Sequence, residues 1–337
     1  MKKLIGAIIG YGGLGKIHLA NLTQIDDVEV VAICDIEESQ FTKVTTTNQG
    51  AIAEVDLTHI RKYTDAKQML EAEQLDFVVI ALPTYLHEEY TVMALNKGLH
   101  VLCEKPMARS LEGCKNMIAA AKENGKLLSI GQTLRFHFPY KLIKEAYDTG
   151  KYGKLLRLTL SRNSYPPVWG WNNWFMKQEL SGGAAMDLHV HDVDFINYLL
   201  GLPEAVVSEA YHVSSGFDCI SSQYFYKDGP IVQATGDWNM PVSYGFRCDY
   251  IAVFEKAVIT NDDVGLKVCT GDGVLRQEDF PEFTTEDKYF TEIAYFLHCI
   301  RDDAENEIVP MESTMQTIQL VTAEIEAAKT RKMVYFK

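Results

Sequence analysis

A chain of 337 residues is long enough for two domains of ordinary size. With 47% hydrophobic and 23% charged residues it fits a soluble globular protein, and its net charge of -14 excludes nucleic acid or an anionic membrane as the main partner. The seven cysteines (Cys34, Cys103, Cys114, Cys219, Cys248, Cys269 and Cys299) form no CxxC pair, which predicts buried thiols in a reducing cytoplasm and neither zinc nor a disulfide framework.

The opening MKKLIGAIIGYGGLG imitates a signal peptide. Its apolar run from Leu4 to Ile9 is too short, however, and ends in glycines, so it reads as a buried first strand. No later stretch reaches the roughly 18 apolar residues of a membrane span. LGKIHLANLTQI follows as a helix and VEVVAICD as the second strand. The Val44–Gly50 patch, VTTTNQG, reads as surface. DAKQMLEAE is a short helix, DFVVIALP a strand, and HEEYTVMALNKG a helix stopped at Gly98. HVLCEKP is a strand, SLEGCKNMIAAAKENG a helix from Ser110 to Gly125, and KLLSIGQT the last strand of the series. Continuous Val/Ile/Leu runs between helices predict a parallel sheet covered on both faces.

Past about residue 134 the rhythm changes. KLLRLTLSR, EAVVSEAYHV, SSQYFYKDGPIVQATGDW, RCDYIAVFEKAVIT and GLKVCTGDGVLRQ alternate partially, with hairpin signals at Asp228-Gly229 and Asp272-Gly273. They predict a large, mostly antiparallel sheet, with helices near 184–200, 285–302 and 311–330. The boundary falls near residues 131–137. It separates a doubly wound dinucleotide-binding domain over 1–133 from an α+β domain for substrate binding and oligomerisation over 134–337.

GYGGLG supplies Gly10, Gly12 and Gly15, with Gly13 and Leu14 between them, after a strand and at the start of a helix. Glycines there let the backbone approach a pyrophosphate at a helix N-terminus. Asp35 ends the second strand about 20 residues on, where a carboxylate accepts hydrogen bonds from ribose hydroxyls. No arginine follows to meet a 2′-phosphate, so NAD is favoured over NADP. In a parallel sheet the loops at strand C-terminal ends line the ligand crevice, which places Pro83 and Thr84 against the cofactor. His87 either joins them or simply opens the next helix. Glu104, Lys105 and Pro106 end the fourth strand of this series. Glu104 is grouped with the cofactor contacts. Lys105 either holds a substrate oxygen in the cleft or lies along the surface.

GYGGLGKIH, EKPMA and SGGAAMDLHVHDVDF…LLGLP together resemble the Gfo/Idh/MocA oxidoreductase family, in order and over essentially the whole chain. The resemblance implies a Rossmann domain followed by an α/β domain with an open sheet that mediates dimers or tetramers. It implies NAD(P)-dependent oxidation or reduction of a sugar or polyol carbon. It also matches Lys105, Asp187 and His191 to the family's lysine, aspartate and histidine. The chain departs at His189, where many relatives have glycine, and at Phe175, which follows Trp174 where many have arginine.

MDLHVHDVDF crowds three aspartates and two histidines together. On one helix Asp187, His191 and Asp194 share a face, while His189 points about 200° away from Asp187. A metal site using both histidines is therefore disfavoured, and no metal is expected. Oxidising a secondary alcohol requires proton loss from oxygen, and a histidine with an ordinary pKa near 6.5 suits that task. Asp187 would bind a neighbouring hydroxyl. RNSYPPVWGWNNWF holds Trp169, Trp171 and Trp174, and aromatic faces beside Arg162 suit a sugar. Arg162 and Trp174 are expected substrate contacts, with simple packing as the other reading.

The leading function is a dehydrogenase of a sugar, polyol or inositol-like secondary alcohol. A non-sugar carbonyl or dihydrodiol dehydrogenase of the same fold, and a non-catalytic dinucleotide-bound regulator, remain as alternatives. The expected partners are a small carbohydrate or polyol and further copies of the chain, as a homodimer or homotetramer, with no nucleic acid and no membrane.

Overall fold

The computed structural model describes residues 3–43, 46–47, 50–51, 55–281 and 287–336. The Val44–Gly50 patch lies outside the described residues, apart from the backbone of Thr46, Thr47 and Gly50. The chain divides into two compact units, Met1–Thr133 with Asp287–Met315, and Leu134–Glu286 with Gln316–Lys337.

In the first unit the elements run β1 (Leu4–Ile9), α1 (Gly13–Leu22), β2 (Val28–Cys34), a two-stranded ribbon of β3 (Thr46–Thr47) and β4 (Gly50–Ala51), β5 (Arg61–Tyr63), α2 (Ala66–Ala72), β6 (Phe77–Ile80), α3 (His87–Asn96), β7 (His100–Glu104), α4 (Leu111–Asn124) and β8 (Leu128–Gly131). The main sheet has the order β5-β2-β1-β6-β7-β8. All its pairs are parallel, so it is doubly wound, with the switch in strand order between β1 and β6. The helix signals act as expected. Asp65 caps α2 through Lys67 N and Gln68 N, and Ser110 Oγ accepts from Gly113 N at the start of α4. Gly98 and Gly125 take φ of 80° and 59° just past their helices, a conformation that suits glycine.

One boundary is corrected. Residues 287–315 were expected in the second domain, yet they pack with the first unit. The helix Lys288–Arg301 is capped by Asp287 and buries Ile293, Phe296 and Leu297 in one cluster with Leu19, Leu22, Phe77 and Val79. The rings of Phe77 and Phe296 meet edge to face at 6.0 Å. Burying three large apolar side chains is worth several kcal/mol, about 1.5–3 for each, and this outweighs sequence order.

In the second unit come α5 (Phe138–Thr149), β9 (Leu155–Asn163), α6 (Gln178–Ser181), α7 (Gly183–Asp187), α8 (Val190–Leu200) and β10 (Ala205–Tyr211). The strands continue with β11 (Cys219–Phe225), β12 (Ile231–Asp237), β13 (Arg247–Phe254), β14 (Ala257–Asp262), β15 (Gly265–Thr270), β16 (Gly273–Arg276) and β17 (Val334–Tyr335). They form a nine-stranded sheet in the order β16-β15-β14-β13-β9-β12-β11-β10-β17, antiparallel except for the pairing of β12 with β9.

One face of this sheet is the core. It carries Leu158, Leu160, Tyr250, Ala252 and Ile259, all buried, and Tyr140 of α5 packs against Tyr250 and Phe195. The other face pairs Ile251 and Gln233 with Thr159, and Ser221 with Thr235. Ile231 and Ile251 are 57% and 40% exposed there. No helix among the described residues is long and apolar enough to cross a membrane.

Candidate active-site elements

The phosphate loop is shaped by where side chains cannot go. Gly10 has φ of 93°, and a Cβ on it would lie 2.3 Å from the Ala81 carbonyl oxygen. A Cβ on Gly15 would lie 2.0 Å from the Gly10 carbonyl oxygen, so both positions exclude larger residues. A Cβ on Gly12, by contrast, would meet nothing within 4 Å. Gly12 is also the N-cap of α1, where no side chain caps the helix and the first turn carries no acid. Gly13 and Leu14 open that turn with partial exposure. An open N-terminus with room beside it suits a pyrophosphate, so the residues present fit a dinucleotide.

Asp35 stands partly exposed beyond β2. Its Oδ2 accepts from Tyr11 N at 2.8 Å and its Oδ1 from Glu37 N at 2.9 Å. Each oxygen keeps a second lone pair for a ribose hydroxyl. Burial pushes its carboxyl above the ordinary range, against the pull of the two backbone donors and Lys16.

At the ends of β6 and β7, Pro83 is partly exposed and Thr84 is buried. Two expected cofactor contacts, His87 and Glu104, are buried side chains with partners inside the unit. His87 is 1% exposed, and its ring nitrogens Nδ1 and Nε2 lie 2.8 Å from the Pro106 and Leu82 carbonyl oxygens respectively. Glu104 is also buried. Its Oε1 lies 2.6 Å from His18 Nε2, and its Oε2 accepts from Lys105 N at 3.2 Å. Their polar atoms are thus committed inside the unit. Burial pushes the Glu104 carboxyl up, but the hydrogen bond and charge of His18, with Lys105 and His87, hold it below the ordinary range. Between Glu104 and Pro106, both buried, Lys105 is partly exposed.

In the second unit, the segment expected as one helix over 184–200 is two. Leu188 N and His189 N both bond to the Ala184 carbonyl oxygen, and this shared acceptor marks the break between α7 and α8. Most of the crowded titratable groups are spoken for by buried partners. Asp192 binds Arg162 through two bonds of 2.8 and 2.9 Å. Asp194 binds Arg135 at 2.9 and 2.7 Å and Thr317 Oγ1 at 2.8 Å. Asp194 was placed on the Asp187 face by helical spacing, and it is instead 1% exposed in this pair. His189, fully buried, lies 3.2 Å from Glu324 Oε1, which also accepts from the Tyr224 hydroxyl. From Ser181 to Asn197, Asp187 and His191 are the two residues with partial exposure.

Two expected substrate contacts change as well. The Arg162 guanidinium, besides Asp192, reaches Tyr140 Oη at 3.2 Å and Cys248 Sγ at 2.8 Å, and the residue is 4% exposed. It is the buried partner of an ion pair. Trp174 is 8% exposed and stacks on Phe175 at 4.0 Å. The exposed indoles are Trp169 and Trp171, at 53% and 38%. Between Trp171 and Trp174, Asn172 and Asn173 both adopt left-handed backbone, with φ of 49° and 54°. Among the described residues no cluster of three or more His, Cys, Asp or Glu could hold a metal ion.

Residues 6–132 match the oxidoreductase family with an NAD-binding Rossmann fold, and residues 140–260 match the GFO/IDH/MocA C-terminal domain. The chain belongs to the Gfo/Idh/MocA family and is an NAD-binding oxidoreductase. It is 26% identical over 329 residues to the uncharacterized oxidoreductase YrbE of Bacillus subtilis (strain 168), covering 94% of this chain and 88% of that one. It is 31% identical over 196 residues to the myo-inositol 2-dehydrogenase of Thermotoga maritima, covering 58% of this chain and 54% of the relative. The WlbA dehydrogenase of Bordetella pertussis, solved with NADH and UDP-GlcNAcA, superposes with a TM-score of 0.82 at 23% identity, over 100% of this chain and 99% of that one. At that identity the likeness shows the fold.

Proposed function

We propose that the chain is an NAD-dependent dehydrogenase acting on a secondary alcohol of a sugar, polyol or inositol-like substrate. The observation that carries this is selective exposure. Around the family's motifs Glu104, Asp192, Asp194 and His189 are buried with hydrogen-bonding partners, while Lys105, Asp187 and His191 stay partly exposed. The similarity to an inositol dehydrogenase supports the substrate class.

NAD supplies the hydride acceptor. Lys105 holds the reacting oxygen and favours negative charge building on it. His191 accepts the hydroxyl proton, and Asp187 binds a neighbouring hydroxyl and orients the substrate. Gly10, Gly12 and Gly15 let the backbone close on the pyrophosphate. Asp35 accepts the ribose hydroxyls and repels a 2′-phosphate, so NAD is preferred to NADP. Seven cysteines with no disulfide between them suit a reducing cytoplasm. The exposed face of the nine-stranded sheet is the surface through which copies of the chain pair as a dimer or tetramer.

The test is NADH formation against a panel of inositols, sugars and sugar acids, using the wild-type chain and Lys105→Ala. Turnover of a panel member that collapses in the variant, with NADH affinity kept within several-fold, supports the reading. Unchanged turnover in the variant removes Lys105 from the chemistry.

A further inference from the structure

Two buried histidines of the first unit have no part in the proposed chemistry, yet both end on the turn that carries Lys105. His18 lies inside α1, the helix that begins at the phosphate loop, and is 0% exposed. Its Nε2 meets Glu104 Oε1 at 2.6 Å, and the other Glu104 oxygen takes the backbone N–H of Lys105. Gly131 of β8 makes room for the carboxylate, since a Cβ there would lie 3.1 Å from Glu104 Oε2. On the far side of the turn, His87 Nδ1 lies 2.8 Å from the Pro106 carbonyl oxygen while Nε2 lies 2.8 Å from that of Leu82. His87 therefore lies between the turn after β7 and the turn after β6, and its neutral ring donates to one of the two carbonyls. Glu104 and Pro106 are both buried, and the residue between them projects with partial exposure.

We propose that His18, acting through Glu104, and His87, acting through the Pro106 carbonyl, are positioning residues that aim the Lys105 side chain. The inference rests on the reading of Lys105 as the group that holds the reacting oxygen. The physical case is that of a buried polar network. Burying a carboxylate and two imidazoles costs desolvation that an apolar core would avoid, and such a network, once satisfied, fixes one geometry. Fixed geometry matters here because a misplacement of about 1 Å in a reacting group can cost on the order of 10²-fold in rate. The Glu104 carboxylate also keeps negative charge beside the Lys105 ammonium, which adds an electrostatic hold to the geometric one.

The test reads Lys105 directly and needs no substrate. The full-length protein with bound NADH is pulse-labelled with acetic anhydride, and the acetylation rate at Lys105 is read by mass spectrometry. Lys115, whose side chain is 64% exposed on α4, serves as internal standard. His18→Leu and Glu104→Gln remove the brace or its charge and should raise labelling at Lys105 by about threefold to tenfold. His18→Gln places an amide donor near the lost Nε2 and should return the rate to within about twofold of wild type. His87 offers an internal pair. His87→Asn mimics Nδ1 and keeps the bond to Pro106, whereas His87→Gln mimics Nε2 and keeps only the bond to Leu82. The Gln variant should shift Lys105 labelling and the Asn variant should not.

NADH affinity should stay within about threefold in all of these, because the polar atoms changed at His18, Glu104 and His87 are held by partners inside the unit. If His18→Leu fails to fold, Glu104→Gln and the His87 pair decide the matter. Labelling within twofold of wild type in Glu104→Gln and His87→Gln, with NADH bound, overturns the proposal. Should Lys105→Ala keep wild-type turnover, the catalytic reading of Lys105 fails separately, since the labelling result does not depend on it.

Discussion

At the end of β7 a partly exposed lysine stands between two buried residues whose polar atoms are held by histidines. In the segment 183–200 a partly exposed aspartate and histidine stand among carboxylates held by arginines. Both regions bury the surrounding charges with partners and leave a few groups partly exposed, but by different means. The first uses imidazole and backbone carbonyls. The second uses guanidinium, which keeps its charge at every accessible pH and binds a carboxylate through two parallel bonds. The second brace should therefore be insensitive to pH and costly to break.

The largest effect expected from breaking this comparison is kinetic. His191→Ala should lower kcat by about 10²–10⁴-fold, the usual contribution of a positioned base, and remove an ionisation near neutral pH from the kcat/KM profile. His189→Ala should cost much less in kcat and more in stability, because Glu324 stays buried with one fewer partner. If the His189 variant loses the ionisation and the His191 variant keeps it, the roles assigned along α7 and α8 are wrong.

The next effect is thermodynamic. Asp194→Ala leaves the Arg135 guanidinium without its carboxylate in a buried site and should cost about 3–5 kcal/mol in urea unfolding. Asp187→Ala, at a partly exposed position, should change stability by roughly 0.5 kcal/mol or less. Equal losses in the two variants would erase the distinction between the buried and the partly exposed carboxylate.

Cofactor choice comes third. Asp35 should give NAD a preference over NADP on the order of 10²-fold in kcat/KM, since two unit charges about 4 Å apart interact by about 4 kcal/mol at an effective dielectric near 20, before solvent weakens the repulsion. Asp35→Ser should narrow the gap, and equal use of both cofactors by the wild type would contradict the role given to this carboxylate.

The smallest effect concerns pH. Glu104 in the folded protein lies below its unfolded value of about 4.3, so its contribution to stability is full above that value and is lost as pH falls through the lower, folded one. Thermal unfolding should show a loss of Tm on acidification below about pH 4 that is shallower in Glu104→Gln. An acid limb of the same slope in both proteins would show that Glu104 carries none of it.

How much of this was legible in the sequence follows from where the determinants lie. The phosphate loop was readable because its constraint is backbone geometry, and the glycine spacing records it directly. The strands β1, β2, β6, β7 and β8 were readable as unbroken apolar runs. β5 was not, since its three residues Arg61–Tyr63 form a polar edge. α5 was missed although Pro139 at its first turn and Gly150 just past its end, with φ of 64°, were signals for it. The return of residues 287–315 to the first unit left no local trace, being decided by contacts with Phe77 and Leu19.

In the candidate site, His189 is buried and His191 partly exposed, but the single helix assumed by the spacing is broken between Asp187 and Val190. Residue types and spacing could not show that Asp194 and Asp192 were taken, because the arginines that hold them lie 59 and 30 residues away. For the same reason Arg162 and Trp174 looked available when they were buried. His18 was missed as a partner of Glu104, 86 residues distant. Its signal was the buried side of α1, where a histidine needs a polar partner.

The central claim is that this chain transfers hydride from a secondary alcohol to NAD with Lys105 in contact with the reacting oxygen. The most direct measurement is the initial rate of NADH formation with myo-inositol and related polyols and sugars, for the wild type and Lys105→Ala at matched NAD saturation. The account predicts turnover of at least one such alcohol by the wild type and its collapse in the variant, with NADH still bound. A folded, NADH-binding wild type that oxidises none of them, or a Lys105→Ala variant that turns over as fast as the wild type, would contradict it.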